Sequence, residues 1–320
     1  MGRIAHGQYG PDLSVEGGGQ LTAAQDLIST PLRFPPASRQ TSVPMDELLN
    51  SANAGFLVHR VGQLRNEFRE EGLAFSADLV DLIDKAQVGY ASIFAFEELF
   101  GTQNRLHWLL HLKQPNDYQR MLDMVDHSKK WEEVSTGDRL PTKGGGNWER
   151  MFVEGSMSET VICPQHGLGH HDEADEEPLD TFQPPARYQS RLDPDRLLHS
   201  VNSALTVHRR LQVRYAVREE ARKFWFDWAG HVCEAMAGRA TAFLYEEMWG
   251  QQDRLHLLIH LSSMDAYHEL TALPETDPKM RELLTSPVVS AAKGGGSWHD
   301  TVLDGSMTDT LWAPLHGGRS

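Results

Sequence analysis

Two kinds of hydrophobic spacing run along this chain. RLHWLLHL (Arg105–Leu112) alternates, so in an extended strand Leu106, Trp108, Leu110 and Leu112 share one side, and Arg105, His107, Leu109 and His111 the other. SIFAFEELF (Ser92–Phe100) alternates too: Ile93, Ala95 and Leu99 oppose Phe94, Phe96, Glu98 and Phe100, with Glu97 the exception on the aliphatic side. GTQN between them predicts a turn, and the two runs a β-hairpin. SADLVDLIDKA (Ser76–Ala86) instead places Leu79, Leu82, Ile83 and Ala86 at helical spacing behind a cap-type serine. Asp117–Asp126 does the same with Tyr118, Met121, Leu122 and Val125. With a short helical prelude at Asp46–Asn53, a strand at His59–Arg65 and a last strand at Thr160–Pro164, the predicted order is βαββαβ.

The whole pattern then recurs. NRLHWLLHL (Asn104–Leu112) returns as DRLHLLIHL (Asp253–Leu261), and FEELFGTQ as YEEMWGQQ. Upstream, DELLNSAN matches DRLLHSVN, VHR (Val58–Arg60) matches VHR (Val207–Arg209), and REE (Arg69–Glu71) matches REE (Arg218–Glu220). Downstream, KGGGNW (Lys143–Trp148) matches KGGGSW (Lys293–Trp298), EGSM matches DGSM, and CPQHG matches APLHG. This register predicts a repeat over 44–167 and another over 193–320, each a common domain size. Residues 1–43, rich in Gly, Pro and Ser, are expected to form a flexible lead-in, and 168–192 an acidic, proline-rich linker that includes HHDEADEEPLD (His170–Asp180). His170 and His171 fall in that acidic run and are expected to be solvated.

On element order, the FEELFGTQNRLHWLLHL hairpin and the duplication, the chain resembles the dimeric α/β-barrel superfamily, which includes the antibiotic-biosynthesis monooxygenase and NIPSNAP-like families. The resemblance covers roughly residues 56–166 and 205–316. It implies an α+β fold of two tandem ferredoxin-like βαββαβ repeats forming an intramolecular pseudo-dimeric α/β barrel, with a pocket between mated sheets. It also implies cofactor-free oxygenation, cyclisation or haem chemistry as candidate activities, since members do each of these.

Composition narrows the partners. The net charge of -15, with no basic stripe, would repel a phosphate backbone, so nucleic acid is not an expected partner. A mean hydropathy of -0.46 and the lack of a long apolar run give no membrane span. MGRIAHGQYG lacks a signal pattern, so a cytoplasmic protein is expected. Cys163 and Cys233 fall at non-corresponding positions of the two repeats and read as buried thiols.

Strand geometry picks the candidate site. On a helix His107 and His111 would suit a single metal, but on a strand, at ~3.3 Å per residue, they share a face about 13 Å apart. Pairing the hairpin about GTQN sets Phe100 opposite Arg105 and Glu98 opposite His107. A first strand taken to run parallel beside the third would bring His59 level with His107. Glu98, His107 and His59 then form a row across three strands, which Glu247, His256 and His208 repeat. Phe94, Phe96, Phe100 and His111, with Phe243, Tyr245, Trp249 and His260, supply a wall for substrate binding, and Trp148 and Trp298 after the KGGG segments are expected to cap it as a lid or tight turn. His166 and His316 read as turn residues beyond the last strands.

Three readings of the row stay open. The His and Glu side chains satisfy one another's hydrogen bonds in a buried interface. Alternatively, His107 or His256 acts as a base oriented by Glu98 or Glu247, while Arg105 or Arg254 stabilises a developing anion. In the third, His59, His107 and Glu98, or His208, His256 and Glu247, hold a non-haem divalent metal such as Fe, or the cavity holds haem. The leading expectation is an enzyme of specialised small-molecule metabolism, acting on an apolar or aromatic metabolite by oxygenation or acid-base-driven cyclisation, with no cofactor, a metal or haem. The rival is a non-catalytic ligand-, haem- or metal-binding protein. A monomer with pseudo-two-fold symmetry or a homodimer is expected.

Overall fold

Each repeat builds a four-stranded sheet backed by helices. In the computed structural model, which describes residues 34–166 and 181–316, the first repeat comprises β1 (Phe56–Gln63), α1 (Arg69–Ala86), β2 (Ala91–Phe100), β3 (Arg105–Leu112), α2 (Pro115–His127), α3 (Lys129–Thr136) and β4 (Ser158–Pro164). The second comprises β5 (Leu205–Gln212), α4 (Arg218–Ala235), β6 (Ala240–Trp249), β7 (Arg254–Leu261), α5 (Met264–Thr276), α6 (Pro278–Thr285) and β8 (Thr308–Pro314). Residues 1–33 of the expected lead-in and the acidic run, with His170 and His171, lie outside the described residues.

The two sheets do not remain separate. β4 pairs with β6 and β8 with β2, so the strands close into one antiparallel barrel in the order β1-β3-β2-β8-β5-β7-β6-β4. Closure across the repeats leaves no open sheet edge, and makes the chain a pseudo-dimeric α/β barrel of two ferredoxin-like halves.

Two details of the expected pairing need correction. β1 and β3 are central neighbours but run antiparallel, because α1 carries the chain over the sheet and leaves β3 between the like-directed β1 and β2. The hairpin register is shifted by two residues, with Phe96 rather than Glu98 opposite His107. An even shift preserves which side chains share a face, so the row is slanted but intact.

The two faces of the strands serve two cores. Leu106, Trp108, Leu110 and Leu112 join Ile93, Ala95, Leu79, Val80 and Ile83 in a core between sheet and helices. Leu57, Phe94, Phe96, Leu109, Ile162, Phe243, Tyr245, Leu258 and Trp312 fill the barrel lumen. Phe94, Phe96, Phe243 and Tyr245 of the aromatic hairpin face are therefore lumen packing.

Helix boundaries differ from expectation where side chains compete with pattern. α1 begins at Arg69, seven residues before Ser76, whose hydroxyl donates to the Gly72 carbonyl at 2.9 Å instead of capping the helix. Gly72 permits this early start, because a Cβ there would come within 2.3 Å of the Leu64 side chain. The prelude holds one turn of 3-10 helix, Met45–Glu47.

The duplication also reaches further upstream than the register read above. PPASRQ (Pro35–Gln40) matches PPARYQ (Pro184–Gln189), from the expected lead-in and linker. The Gln40 amide brackets the Ala95 backbone, accepting from its N–H at 2.9 Å and donating to its carbonyl at 2.7 Å. Gln189 does the same at Leu244. His166 and His316, just past the last strands, hydrogen-bond the Pro184 and Pro35 carbonyls.

Candidate active site

The histidine row lies at one end of the barrel, where β1 and β2 finish and β3 and β4 begin. His59 Nε2 and His107 Nδ1 are 2.9 Å apart, and His107 Nε2 is 3.1 Å from a Glu98 carboxylate oxygen. The hydrogen bonds assign the tautomers. An ionised Glu98 only accepts, so His107 holds its proton on Nε2 and accepts at Nδ1 from the Nε2–H of His59. His59 is left with a lone pair on Nδ1. The relay has a direction: it ends on a carboxylate at one side and on a bare imidazole nitrogen at the other.

Glu98 is held in place by its turn. Its carboxylate curls back to accept from the Thr102 amide at 2.6 Å. Gly101, at φ 139°, makes room for it, since a Cβ there would fall 1.6 Å from the carboxylate oxygen. Arg105 stands 3.7 Å from the same carboxylate. Gly250 and Glu247 reproduce the arrangement in the second repeat.

Burial sets the charge states. It holds His59 well below the ordinary imidazole range, helped by the neighbouring His107, His256 and Arg210 charges. His107 is also lowered by burial, although Glu98 opposes the shift. Burial pushes the Glu98 carboxyl up, but hydrogen bonds from His107 and the Thr102 amide outweigh it and leave the group below its usual value. At neutral pH the relay is one carboxylate and two neutral rings.

The second repeat carries the same residues in a looser form. His208 Nε2 meets His256 Nδ1 at 2.9 Å, but His256 Nε2 is 3.5 Å from Glu247 and has no hydrogen-bond partner among the described residues. Glu247 is drawn instead to Arg254 at 3.3 Å. The two rows meet in the middle of the barrel, where the His59 and His208 rings stand edge to face with centroids 5.0 Å apart. Trp312, opposite Glu98 across the β2–β8 seam, stacks on His107 at 4.2 Å and touches His59 and His208.

A cavity of about 350 Å³ opens over the first row. It is lined by His59, Val61, Gln63, Glu98, Arg105, His107, Ser156, Ser158, His208, Arg210, Thr308 and Thr310. His256, Glu247 and Arg254 are not among its lining residues. The structure thus gathers His59, His107, Glu98, Arg105 and His208 around one polar space and leaves the rest of the second row beside it.

The other expected site residues lie elsewhere. His111 and His260 are sealed at the opposite end, where His111 Nε2 meets Ser200 Oγ at 2.9 Å and His260 Nε2 meets Ser51 Oγ at 2.8 Å. Each serine comes from the other repeat, and their amides and hydroxyls also bond reciprocally at 3.0 Å. Burial lowers His111 to about 3 and holds His260 well below the ordinary imidazole range. Phe94, Phe96, Phe243 and Tyr245 are fully buried in the lumen, whereas Phe100 and Trp249 stand 64% and 57% exposed at the rim. Trp148 and Trp298 stack on Phe75 and Phe224 of α1 and α4, so they anchor the KGGG turns to the helical layer and do not cap the cavity. Lys143 and Lys293 pair with Glu71 and Glu220. Burial pushes the Cys163 thiol to about 12 and Cys233 to about 11, which makes both inert.

A shared metal does not fit this geometry. A triad needs lone pairs that converge on one point, but here both His107 nitrogens are spent along the row. Among the described residues no cluster of three or more His, Cys, Asp or Glu could hold a metal ion. Buried aromatic rings pack the lumen between the histidine row and the opposite end.

Sequence reasoning missed Trp312, Arg210, Gly101 and the hydroxyl lining. For the first two a signal was present, since within the repeat Trp312 replaces Ile162 and Arg210 replaces Val61. Differences between copies, not their identities, mark these positions.

Fold and site together define a duplicated α/β barrel with a polar cavity at one end. The chain belongs to a family of unknown function, DUF6039, whose model matches residues 28–320. No curated relative matches it. Among solved structures it is similar to two proteins described as "putative monooxygenase". One, from Fusobacterium nucleatum, has 9% identity and a TM-score of 0.49, with 84% of this chain and 94% of that one covered. The other, from Lactobacillus acidophilus, has 6% identity and a TM-score of 0.49, with 82% and 95% covered. It is also similar to an anthrone oxidase-like protein, at 10% identity, TM-score 0.45, 84% and 94% covered. Likeness at this level carries nothing about chemistry. No helix among the described residues is long and apolar enough to cross a membrane.

Proposed function

We propose that the open end of the barrel is a single metal-free proton-transfer site acting on a small polar carbonyl metabolite. The observation that supports this reading is the hydrogen-bonded row from Glu98 through His107 to His59, a residue that lines the cavity. The lining of Ser, Thr, Gln and Arg side chains favours a polar substrate over the apolar or aromatic one expected from the hairpin face.

In this reading His59 Nδ1 accepts a proton from a carbon next to the substrate carbonyl. The C–H electron pair becomes the enolate, whose oxygen Arg105 is placed to stabilise. As His59 becomes charged, its Nε2 proton moves toward His107 and the His107 proton toward Glu98, which spreads the positive charge to a carboxylate. Return of a proton at a different atom, from His59 or the adjacent His208, gives an isomer. No oxidant or second substrate is consumed.

The test is hydrogen–deuterium exchange at carbon in D2O, followed by proton NMR with pyruvate and dihydroxyacetone as probes. Native protein is expected to exchange at least one of them about 100-fold faster than free imidazole at equal concentration, and His59→Gln to lose about 10²–10⁴ of that rate. Exchange no faster than imidazole, or exchange untouched by His59→Gln, overturns the proposal.

A further inference from the structure

The cavity holds one cation that the relay does not use. Arg210 lies on β5, two residues from His208 on the same face and opposite Thr308 of β8. The other arginines within the barrel strands have carboxylate partners: Arg60 with Glu159, Arg105 with Glu98, Arg209 with Asp309 and Arg254 with Glu247. Arg210 has no ion pair or hydrogen bond to a carboxylate among the described residues, and it is exposed at the cavity mouth. The first repeat carries Val61 at this position, so the fold does not need a cation there.

We infer that Arg210 is the anion-binding residue of this cavity and that the metabolite of the proposed reaction carries a carboxylate. The inference rests on the proton-transfer reading for its substrate, but not for the binding itself. A free guanidinium offers a planar fork that matches a carboxylate with two parallel hydrogen bonds, and the hydroxyls of Thr308 and Ser158 can complete its polar surroundings. One uncompensated positive charge matches a monoanion better than a phosphate dianion, in a chain whose net charge of -15 repels anions elsewhere. A second consequence concerns the base. The Arg210 charge disfavours protonation of His59, His208 and His256. A bound carboxylate cancels that charge and so strengthens the base only when substrate is present.

Isothermal titration or ligand-observed NMR with pyruvate and its neutral analogue pyruvamide tests this directly. Native protein is expected to bind pyruvate at least 10-fold more tightly than pyruvamide. Arg210→Val, which copies the first repeat, should erase the preference, and Arg210→Lys, which keeps the charge but not the fork, should reduce it without erasing it. Inorganic phosphate should compete more weakly than pyruvate. Equal affinity for pyruvate and pyruvamide in the native protein, or a preference untouched by Arg210→Val, overturns the inference, and tighter binding of phosphate overturns the carboxylate assignment. Failure of the proton-transfer reading looks different: pyruvate is still preferred through Arg210, but its methyl protons do not exchange.

Discussion

The two repeats hold the same Glu-His-His row, yet the polar cavity takes in all three residues of the first row and only His208 of the second. The difference arises at two positions of the second repeat. Trp312 stands where the first repeat has Ile162, and because β8 closes onto β2, its indole lands on the first repeat's His107. Arg210 stands in place of Val61 and lies at the mouth beside His208. The second row instead borders Ile162 through the β4–β6 seam. There the last link of the relay stretches to 3.5 Å. The two frameworks are similar but differ at Trp312, which stacks on the first row's His107, and at Arg210, which lines the cavity. A seam that exchanges strands between repeats makes that possible.

The sharpest way to break this comparison is to remove the same atom from each row. His107→Gln is expected to cut carbon–hydrogen exchange by about 10²–10⁴, whereas His256→Gln should change it less than about 10-fold. Equal losses, measured by the same NMR assay, would mean that both rows are at work.

The closed end, which the repeats share equally, gives the next largest effect. His111 and His260 are held neutral by burial, with His111 at about 3. Their folded pKa values lie below the unfolded value of about 6.5, so below that pH the unfolded chain binds more protons and stability falls with acidification. The stabilisation is complete above pH 6.5 and is lost as pH drops toward the folded values. Each ring should cost about 2 kcal/mol at pH 5 relative to pH 7, and His59, His107, His199, His208 and His256 act in the same direction. Urea unfolding at the two pH values reads this, and a flat profile would contradict the neutral assignment.

A smaller contrast lies in the lumen. Trp312→Ile, which makes the second repeat copy the first, removes a fully buried indole and is expected to destabilise by about 2–4 kcal/mol, against about 1 kcal/mol for Ile162→Val. Thermal unfolding of the two variants would show whether the aromatic floor belongs to one site or merely fills space.

Much of this was legible in the sequence. Alternation in RLHWLLHL and SIFAFEELF gave the strands and their faces, the duplication gave the pseudo-symmetry, and the shared face of His59, His107 and Glu98 placed them in one row. Periodicity of two is a local property that survives an error of two residues in register, which is why the row held although the pairing had shifted. Helix starts were less legible, because Ser76 can cap a helix or bond back into one, and the contact of Gly72 with Leu64 decides which.

By itself, then, the sequence determined the halves: which residues extend, which coil, and which side chains share a face, since these follow from neighbours in the chain. Only the tertiary structure decided how the halves close, that His111 and His260 lock serines of the opposite repeat while His59 and His107 border a cavity, and that one row is equipped by the other repeat's Trp312 and Arg210. Those outcomes depend on contacts between residues far apart in the chain, and no local pattern encodes which of two chemically identical faces will be packed and which left open.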